Sequence, residues 1–175
     1  MKKLLLVKYA EVHLKGQNRP FFLRLLLNGV KEAARDFGGI ARLHDSRILV
    51  SYYRDEEACM KALSRVFGVH SVCPAVEMPK DDFDAVCRQA AFMMEGLSGT
   101  FKVRARRADK LFQMDSPQIN AEIGAFVLSA CMDLTVDVHQ PQHVLDVEIR
   151  DNALLYTGGI QGAGGLPTGS NGRAL

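Results

Sequence analysis

The chain has 175 residues, of which 47% are apolar, and its net charge is only +2. This composition excludes a disordered chain and a uniformly basic protein, and the length allows one domain or two small ones. The four cysteines form no Cys-x-x-Cys pair, which favours buried thiols in a reducing cytoplasm over a disulfide framework or a zinc site. Lys8 interrupts the apolar run near the start, so we predict neither a signal peptide nor a membrane-spanning segment.

Residues 1–77 predict the element order β-α-β-β-α-β. The elements are a strand at Lys3–Ala10, a helix at Arg19–Phe37, a hairpin at 40–53, a helix at 55–68 and a strand at 69–78. We place the hairpin turn at His44–Ser46 and the N-cap of the second helix at Asp55. This order is typical of a ferredoxin-like domain, whose four-stranded sheet carries both helices on one face.

Residues 78–165 predict a second domain with the order α-β-α-β-β, so the fold class is mixed α+β. It comprises a helix at 81–97, a basic strand from Phe101, a helix at 116–133 and a hairpin at 143–160, and a short strand at 135–138 is left open. Ser116 is the expected N-cap of the second of these helices. The glycine-rich end of the chain predicts a flexible segment from Gly162 to Gly172, and we assign 166–175 to a linker.

Two other kinds of site are weakly indicated. His139 and His143 have the spacing of helical metal ligands, but Pro141 lies between them, so an exposed loop is favoured and no metal site is predicted. The glycine-rich end could hold a nucleotide phosphate, but it completes neither the P-loop nor the dinucleotide-binding motif. A nucleotide-binding enzyme and a ferredoxin-like regulatory domain for a small molecule therefore remain alternatives.

The segment that begins at Phe101, with the sequence FKVRARRADK, alternates like a strand and is unusually basic. Its apolar side chains should face one way and its cations the other, with a spacing of about 6.5–7 Å that is close to the phosphate spacing of a nucleic acid. The predicted cation row is Lys102, Arg104 and Arg106, extended by Arg107 and Lys110 in the following loop. The alternative is a solvated edge strand protected from aggregation by its charge.

Three segments together resemble one family. They are similar to segments of the tRNA 4-thiouridine synthetases, also called tRNA sulfurtransferases, which follow one another in the same order. Along this chain they are VKYAEVHLKGQNRPFF, FKVRARRADKLFQMDSPQIN and GGLPTGSNGRAL. The resemblance implies a ferredoxin-like domain followed by a THUMP domain that docks the acceptor stem and single-stranded 3′ end of tRNA. The last of these segments is similar to the family's link to its catalytic domain.

The resemblance also implies a sulfur-transfer system. In the family, a PP-loop domain uses ATP to adenylate uridine 8, and a persulfide sulfur supplied through a cysteine desulfurase replaces the oxygen. Members are often homodimers, and the pathway can feed thiamine thiazole synthesis. The PP-loop signature Ser-Gly-Gly-x-Asp-Ser would be expected just after Leu175. We therefore predict no catalytic residue, no cofactor and no enzymatic activity for this chain alone, with the PP-loop domain acting in cis or in trans.

The RNA-binding residues implied by the resemblance are the five cations of the basic strand and loop. Lys15, Asn18 and Arg19, from the loop that precedes the first helix, are added to this set, although a solvated loop and helix cap is an equal alternative for them. Phe112 is the one candidate for stacking on a base, with core packing as its alternative. Backbone contacts should therefore dominate over base readout.

Overall fold

The structure is a computed structural model that describes residues 1–9 and 16–165. The strands are β1 (Lys2–Lys8), β2 (Ile40–His44), β3 (Arg47–Ser51), β4 (Ser71–Met78), β5 (Gly99–Arg107), β6 (Leu134–Val136), β7 (His143–Ile149), β8 (Ala153–Tyr156) and β9 (Ile160–Gln161). The helices are α1 (Arg19–Arg35), α2 (Glu56–Ser64), α3 (Phe83–Met94) and α4 (Ser116–Ala130).

The chain divides into two compact units. The first unit holds the described residues of Leu4–Pro74 together with residues 159–165, and the second holds Ala75–Gly158 together with Met1–Lys3. The division falls inside β4, between Pro74 and Ala75, whereas the sequence placed the domain boundary between residues 77 and 78.

The first unit has the predicted ferredoxin-like order, with strands arranged β2-β3-β1-β4. Helix α1 buries Phe22, Leu26, Val30 and Ala34, which recur at the spacing of one helical face. The β2–β3 turn has positive φ at Asp45 and Ser46, as a tight two-residue hairpin turn requires, so the predicted turn is confirmed. The predicted cap of α2 is also confirmed, because the Asp55 side chain accepts a hydrogen bond from the Ala58 amide at 3.1 Å.

The described part of the glycine-rich segment after β8 pairs with the first unit. Strand β9 pairs antiparallel with β4 at Ser71 and Val72, and the Gly162 amide then donates to the His70 carbonyl at 2.7 Å. The prediction of a flexible chain from Gly162 is therefore wrong for residues 162–164, which are joined to the first unit by backbone hydrogen bonds. The predicted linker at 166–175 lies outside the described residues.

The second unit is a mixed sheet in the order β4-β8-β7-β5-β6. Strand β5 runs parallel to both β7 and β6, and β7 forms an antiparallel hairpin with β8. Helices α3 and α4 pack on this sheet through a common apolar core that includes Val86, Met94, Phe101, Ile123 and Val147. The short strand left open by the sequence is β6, which pairs with β5 only at Gly99–Phe101.

The cap of α4 differs from the prediction. Asp115, not Ser116, is the N-cap residue, and it forms a capping box with Gln118. Ser116 is instead the first helical residue, and its hydroxyl accepts a hydrogen bond from the Arg107 amide at 3.1 Å. Asp and Ser are both favoured at the N-cap position of a helix. Here the Ser116 hydroxyl accepts the hydrogen bond from the end of β5, and the Asp115 carboxylate caps the helix.

No helix in residues 1–9 and 16–165 is long and apolar enough to cross a bilayer. The same residues contain no group of three or more His, Cys, Asp or Glu side chains that could hold a metal ion. His139 and His143 therefore belong to no such group.

The four cysteines are buried and free in the structure. Burial raises the pKa of Cys59 and of Cys87 to about 11 each, so that at pH 8 only about one in a thousand of these thiols is ionised. We expect none of the four to react within minutes with an aromatic disulfide reagent in the native protein at pH 8, and all four to react in guanidinium chloride. A full equivalent of fast-reacting thiol in the native protein would contradict this assignment.

Candidate nucleic-acid interface

Strand β5 separates apolar from basic side chains in the predicted way. Phe101 is buried in the core between the sheet and the helices, and Val103 and Ala105 pack against that core. Lys102 is half-buried, whereas Arg104 and Arg106 are exposed. Because side chains alternate along a strand, the three cations point away from the core of their unit on one face of the sheet.

The free edge of β5 is protected by side chains rather than by a full neighbouring strand. Beyond Phe101, where pairing with β6 ends, the Ala105 amide donates to Oδ1 of Asn120 at 2.8 Å, and the Arg107 amide donates to Ser116. These two residues of α4 satisfy backbone donors that a bare edge would present to another chain. The charge of β5 is therefore not its sole protection against edge pairing.

Asn120→Ala tests this edge contact. We expect the free energy of unfolding to fall by about 1–2 kcal/mol, because the part-buried Ala105 amide loses its acceptor. Chemical denaturation of the two proteins measures this difference. Glu122→Ala, at an exposed position of the same helix, is the matched control and should change the value by less than about 0.5 kcal/mol. Equal effects of the two substitutions would count against the assignment.

The central cation of the row is held by a buried carboxylate. Arg104 and Asp146 are paired in the parallel register of β5 and β7, and Arg104 Nε and Nη2 donate to the two carboxylate oxygens at 2.6 and 2.9 Å. The Asp146 side chain is 6% exposed and that of Arg104 is 46% exposed. The hydrogen bond with Asp146 raises the pKa of Arg104, although burial opposes this effect.

Arg106 has different surroundings. It lies opposite Glu148 in the register of β5 and β7, but Glu148 accepts hydrogen bonds from the Tyr156 hydroxyl at 2.7 Å and from Arg150 Nε at 3.4 Å. Among the described residues, Arg106 forms no ion pair, and its side chain is exposed. It is therefore the strand cation whose charge is most available to an external anion.

The remaining cations lie at the two ends of the row. Lys102 Nζ approaches the Val138 carbonyl at 3.4 Å, and Arg107 is half-buried with Nη1 donating to the Phe112 carbonyl at 3.3 Å. Arg107 thus closes the loop after β5 as well as carrying charge. Lys110 is exposed in that loop.

The one acidic residue of the basic segment is neutralised within the protein. Lys80 Nζ donates to Asp109 at 2.6 Å and to the Arg150 carbonyl at 2.7 Å. The hydrogen bond from Lys80 lowers the pKa of Asp109, so this carboxylate stays ionised and paired. Asp109 therefore does little to weaken the positive potential of the row.

The loop after β5 presents a different apolar side chain from the one expected. Phe112 is half-buried and lies against Phe83, with a ring-centroid distance of 5.9 Å, so it packs with the core, which was its alternative assignment. Leu111, beside it, is 95% exposed.

The candidate residues of the first unit are described only in part. Lys15 lies outside the described residues. Asn18 occupies the N-cap position of α1 and is exposed, but its side chain makes no capping hydrogen bond. Arg19, the first residue of α1, is half-buried and interacts with the Tyr9 hydroxyl; burial raises the pKa of Tyr9, and Arg19 opposes that rise.

Sequence reasoning missed the roles of three residues that shape this interface. Asp146, Asn120 and Ser116 fix the central arginine and the edge of β5. A signal for Asp146 is present in the sequence, since it is a lone acid within the apolar run HVLDV.

Comparisons with known proteins agree with this architecture. Residues 4–73 match the family model of the ThiI ferredoxin-like domain, and residues 75–157 match that of the THUMP domain. A probable tRNA sulfurtransferase of Caldanaerobacter subterraneus is 42% identical, over 99% of this chain and 46% of its own length. One of Moorella thermoacetica is 40% identical, over 98% of this chain and 44% of its own length. The chain thus spans about half the length of these curated relatives.

Two solved structures are similar to the chain over almost its whole length. A 4-thiouridine synthetase–RNA complex with bound ATP superposes with a TM-score of 0.85 at 30% identity, covering 99% of this chain and 45% of the other. A Pyrococcus horikoshii protein superposes with a TM-score of 0.81 at 30% identity, covering 99% of this chain and 59% of the other. The chain therefore carries a ThiI ferredoxin-like domain followed by a THUMP domain, and over almost its whole length it is similar to about half of a tRNA sulfurtransferase.

Proposed function

We propose that this chain is the tRNA-binding part of a tRNA 4-thiouridine synthetase and that it docks the acceptor stem and 3′ end of tRNA. The observation that carries the proposal is the cation row on β5, in which Arg106 is exposed and forms no ion pair within the described residues. The similarity to a synthetase that was solved with RNA supports the choice of RNA as the polyanion.

The docking is electrostatic in this proposal. Lys102, Arg104 and Arg106 follow one strand at the two-residue spacing, and the loop cations extend the same row. Each phosphate that they neutralise releases condensed counterions, which favours binding. A duplex RNA stem hides its base edges in a deep groove, so contacts to phosphates and to the exposed 3′ end are expected to dominate. Lys15, Asn18 and Arg19 are proposed as further contacts from the first unit.

The rest of the activity is proposed for the complete system. A PP-loop domain, in cis or in trans, would use ATP to activate uridine 8, and a cysteine desulfurase would supply the sulfur. Homodimer formation, a link to thiamine thiazole synthesis and a cytoplasmic location belong to the same proposal. Four free buried cysteines are consistent with a reducing compartment.

A binding measurement tests the proposal. A fluorescent RNA hairpin with a seven-base-pair stem and a single-stranded 3′ NCCA tail is titrated with the 175-residue protein by anisotropy at several salt concentrations. We expect binding whose logarithmic dependence on salt has a slope of about −3 to −5, as for four to six neutralised phosphates. Removal of the tail should weaken binding. Absence of binding at low salt, or a slope near zero, would overturn the proposal.

A further inference from the structure

The pair formed by Arg104 and Asp146 has a geometry that simple charge neutralisation does not require. Asp146 is almost fully buried, whereas nearly half of the Arg104 side chain is exposed. A guanidinium has two edges that can each donate a pair of hydrogen bonds, and Asp146 occupies the edge formed by Nε and Nη2. The second edge, formed by Nη1 and the other Nη2 proton, donates to no described residue.

We propose that Asp146 is a positioning residue, which holds Arg104 so that this second edge binds an RNA phosphate. The inference rests on the proposed function, since it concerns the same basic row. A free arginine loses much rotamer freedom when it binds a phosphate, but two hydrogen bonds to a buried carboxylate fix the side chain before RNA arrives. The same carboxylate also keeps Arg104 on the line between Lys102 and Arg106, where consecutive phosphates would lie.

The rival explanation makes the opposite prediction. If Asp146 only cancels the charge of Arg104, its removal frees a cation and RNA binding becomes tighter. If Asp146 positions Arg104, the same removal disorders the guanidinium and binding becomes weaker, in spite of the added positive charge. The direction of the change in affinity therefore separates the two explanations.

Asp146→Asn is the test, with the same RNA hairpin as probe. We expect the dissociation constant to rise about 5- to 20-fold at constant salt, because the ordering of Arg104 must now occur on binding. The salt slope should become shallower by up to about 0.7–0.9, the contribution of one phosphate. An unchanged or lowered dissociation constant would overturn the proposal.

Glu148→Gln is the matched control. Glu148 is a second buried carboxylate, two residues along β7; it lies opposite Arg106 in the register and acts on Arg104 through space, but it accepts hydrogen bonds from Tyr156 and Arg150 and does not hold the Arg104 guanidinium. Its replacement by the amide adds the same charge and removes a buried carboxylate from the same strand without releasing Arg104, so the dissociation constant should stay within about 2-fold of the wild-type value or fall. Equal weakening by the two variants would assign the effect to loss of structure and overturn the proposal.

The double variant Arg104→Gln with Asp146→Asn keeps the proposal testable if Asp146→Asn alone does not fold. It replaces the ion pair by two neutral groups that can still hydrogen-bond, so no charge is left buried without its partner. Its salt slope should be shallower than that of the wild-type protein by about 0.7–0.9, and an unchanged slope would overturn the proposal even if Asp146→Asn fails to fold. Failure of the wild-type protein to bind the hairpin would instead refute the proposed function itself.

Discussion

Arg106→Glu should weaken binding of the acceptor-arm hairpin by about 10- to 100-fold, which corresponds to about 1.4–2.8 kcal/mol. Arg106 is exposed on the sheet face that carries the row, and no described residue forms an ion pair with it. The substitution removes one phosphate contact and places a negative charge among the remaining cations, so RNA loses an attraction and meets a repulsion. Anisotropy titrations at fixed salt measure the change.

Arg106→Glu breaks no ion pair among the described residues, but it places a carboxylate opposite the buried Glu148, so we expect a moderate loss of stability and a native fold at the temperature of the titration. The midpoint of thermal unfolding checks this. Arg88→Glu is the matched control: Arg88 lies on α3 of the same unit, is 61% exposed and makes only a long contact of 3.9 Å with Asp82. It carries the same change of charge outside the row and should alter affinity by less than about 2-fold. Equal losses in the two variants would show that the row is not the RNA-binding surface.

Arg104 is less suited to such a test, although the sequence gives no reason to treat the two arginines differently. A glutamate at position 104 would remove the ion-pair partner of the buried Asp146 and also face it with a second carboxylate, and the loss of the partner adds a destabilisation that Arg106→Glu does not cause. A loss of RNA binding in an Arg104→Glu protein would therefore not identify a phosphate contact.

The alternation of β5 could be predicted because it depends on local geometry. Side chains two residues apart lie on the same face of any strand, so the separation of Phe101 from Arg104 and Arg106 follows from the sequence. The partner of Arg104 could not be found in this way. Asp146 lies 42 positions later, and it reaches Arg104 only because β7 pairs with β5 in one particular parallel register. A shift by one residue would move Asp146 to the core face.

The same distinction explains the two helix N-termini. Asp55 caps α2 with local geometry alone, and its prediction was correct. At α4 the choice between Asp115 and Ser116 is decided by a contact with the end of β5, where the Arg107 amide needs an acceptor. Propensity ranks the two residues nearly equally, so the sequence alone could not choose between them.

The glycine-rich segment was misjudged for a different reason. Glycine serves flexible linkers, but it also serves places where another backbone approaches closely. A Cβ atom built on Gly159 would lie 1.8 Å from the Val72 carbonyl oxygen, and one built on Gly162 would lie 2.1 Å from that of Val69. Glycine content does not distinguish these two uses. The carbonyl groups that approach Gly159 and Gly162 belong to β4 and to the turn before it, which are distant in the sequence.

Gly159→Ala and Gly162→Ala should each lower the free energy of unfolding by at least about 2 kcal/mol. The atoms that the new methyl group would meet are backbone atoms, which cannot rotate away as a side chain does, so the strand must move. Movement of β9 breaks the pairing with Ser71 and Val72 and the hydrogen bond from the Gly162 amide to His70. Chemical denaturation measures the loss.

Either variant can relieve the clash with the backbone by local detachment of β9 and the residues up to Gly164 from the first unit. Amide hydrogen exchange should detect that release as lost protection at Gly162, Ala163 and Gly164, which donate to His70, Ser64 and Val69 in the structure. Gly158→Ala is the matched control, because a Cβ atom there meets nothing within 4 Å. Stability and exchange should stay close to those of the unchanged protein in the control. If Gly159→Ala is tolerated equally well, the close approach to β4 is not what requires glycine at this position.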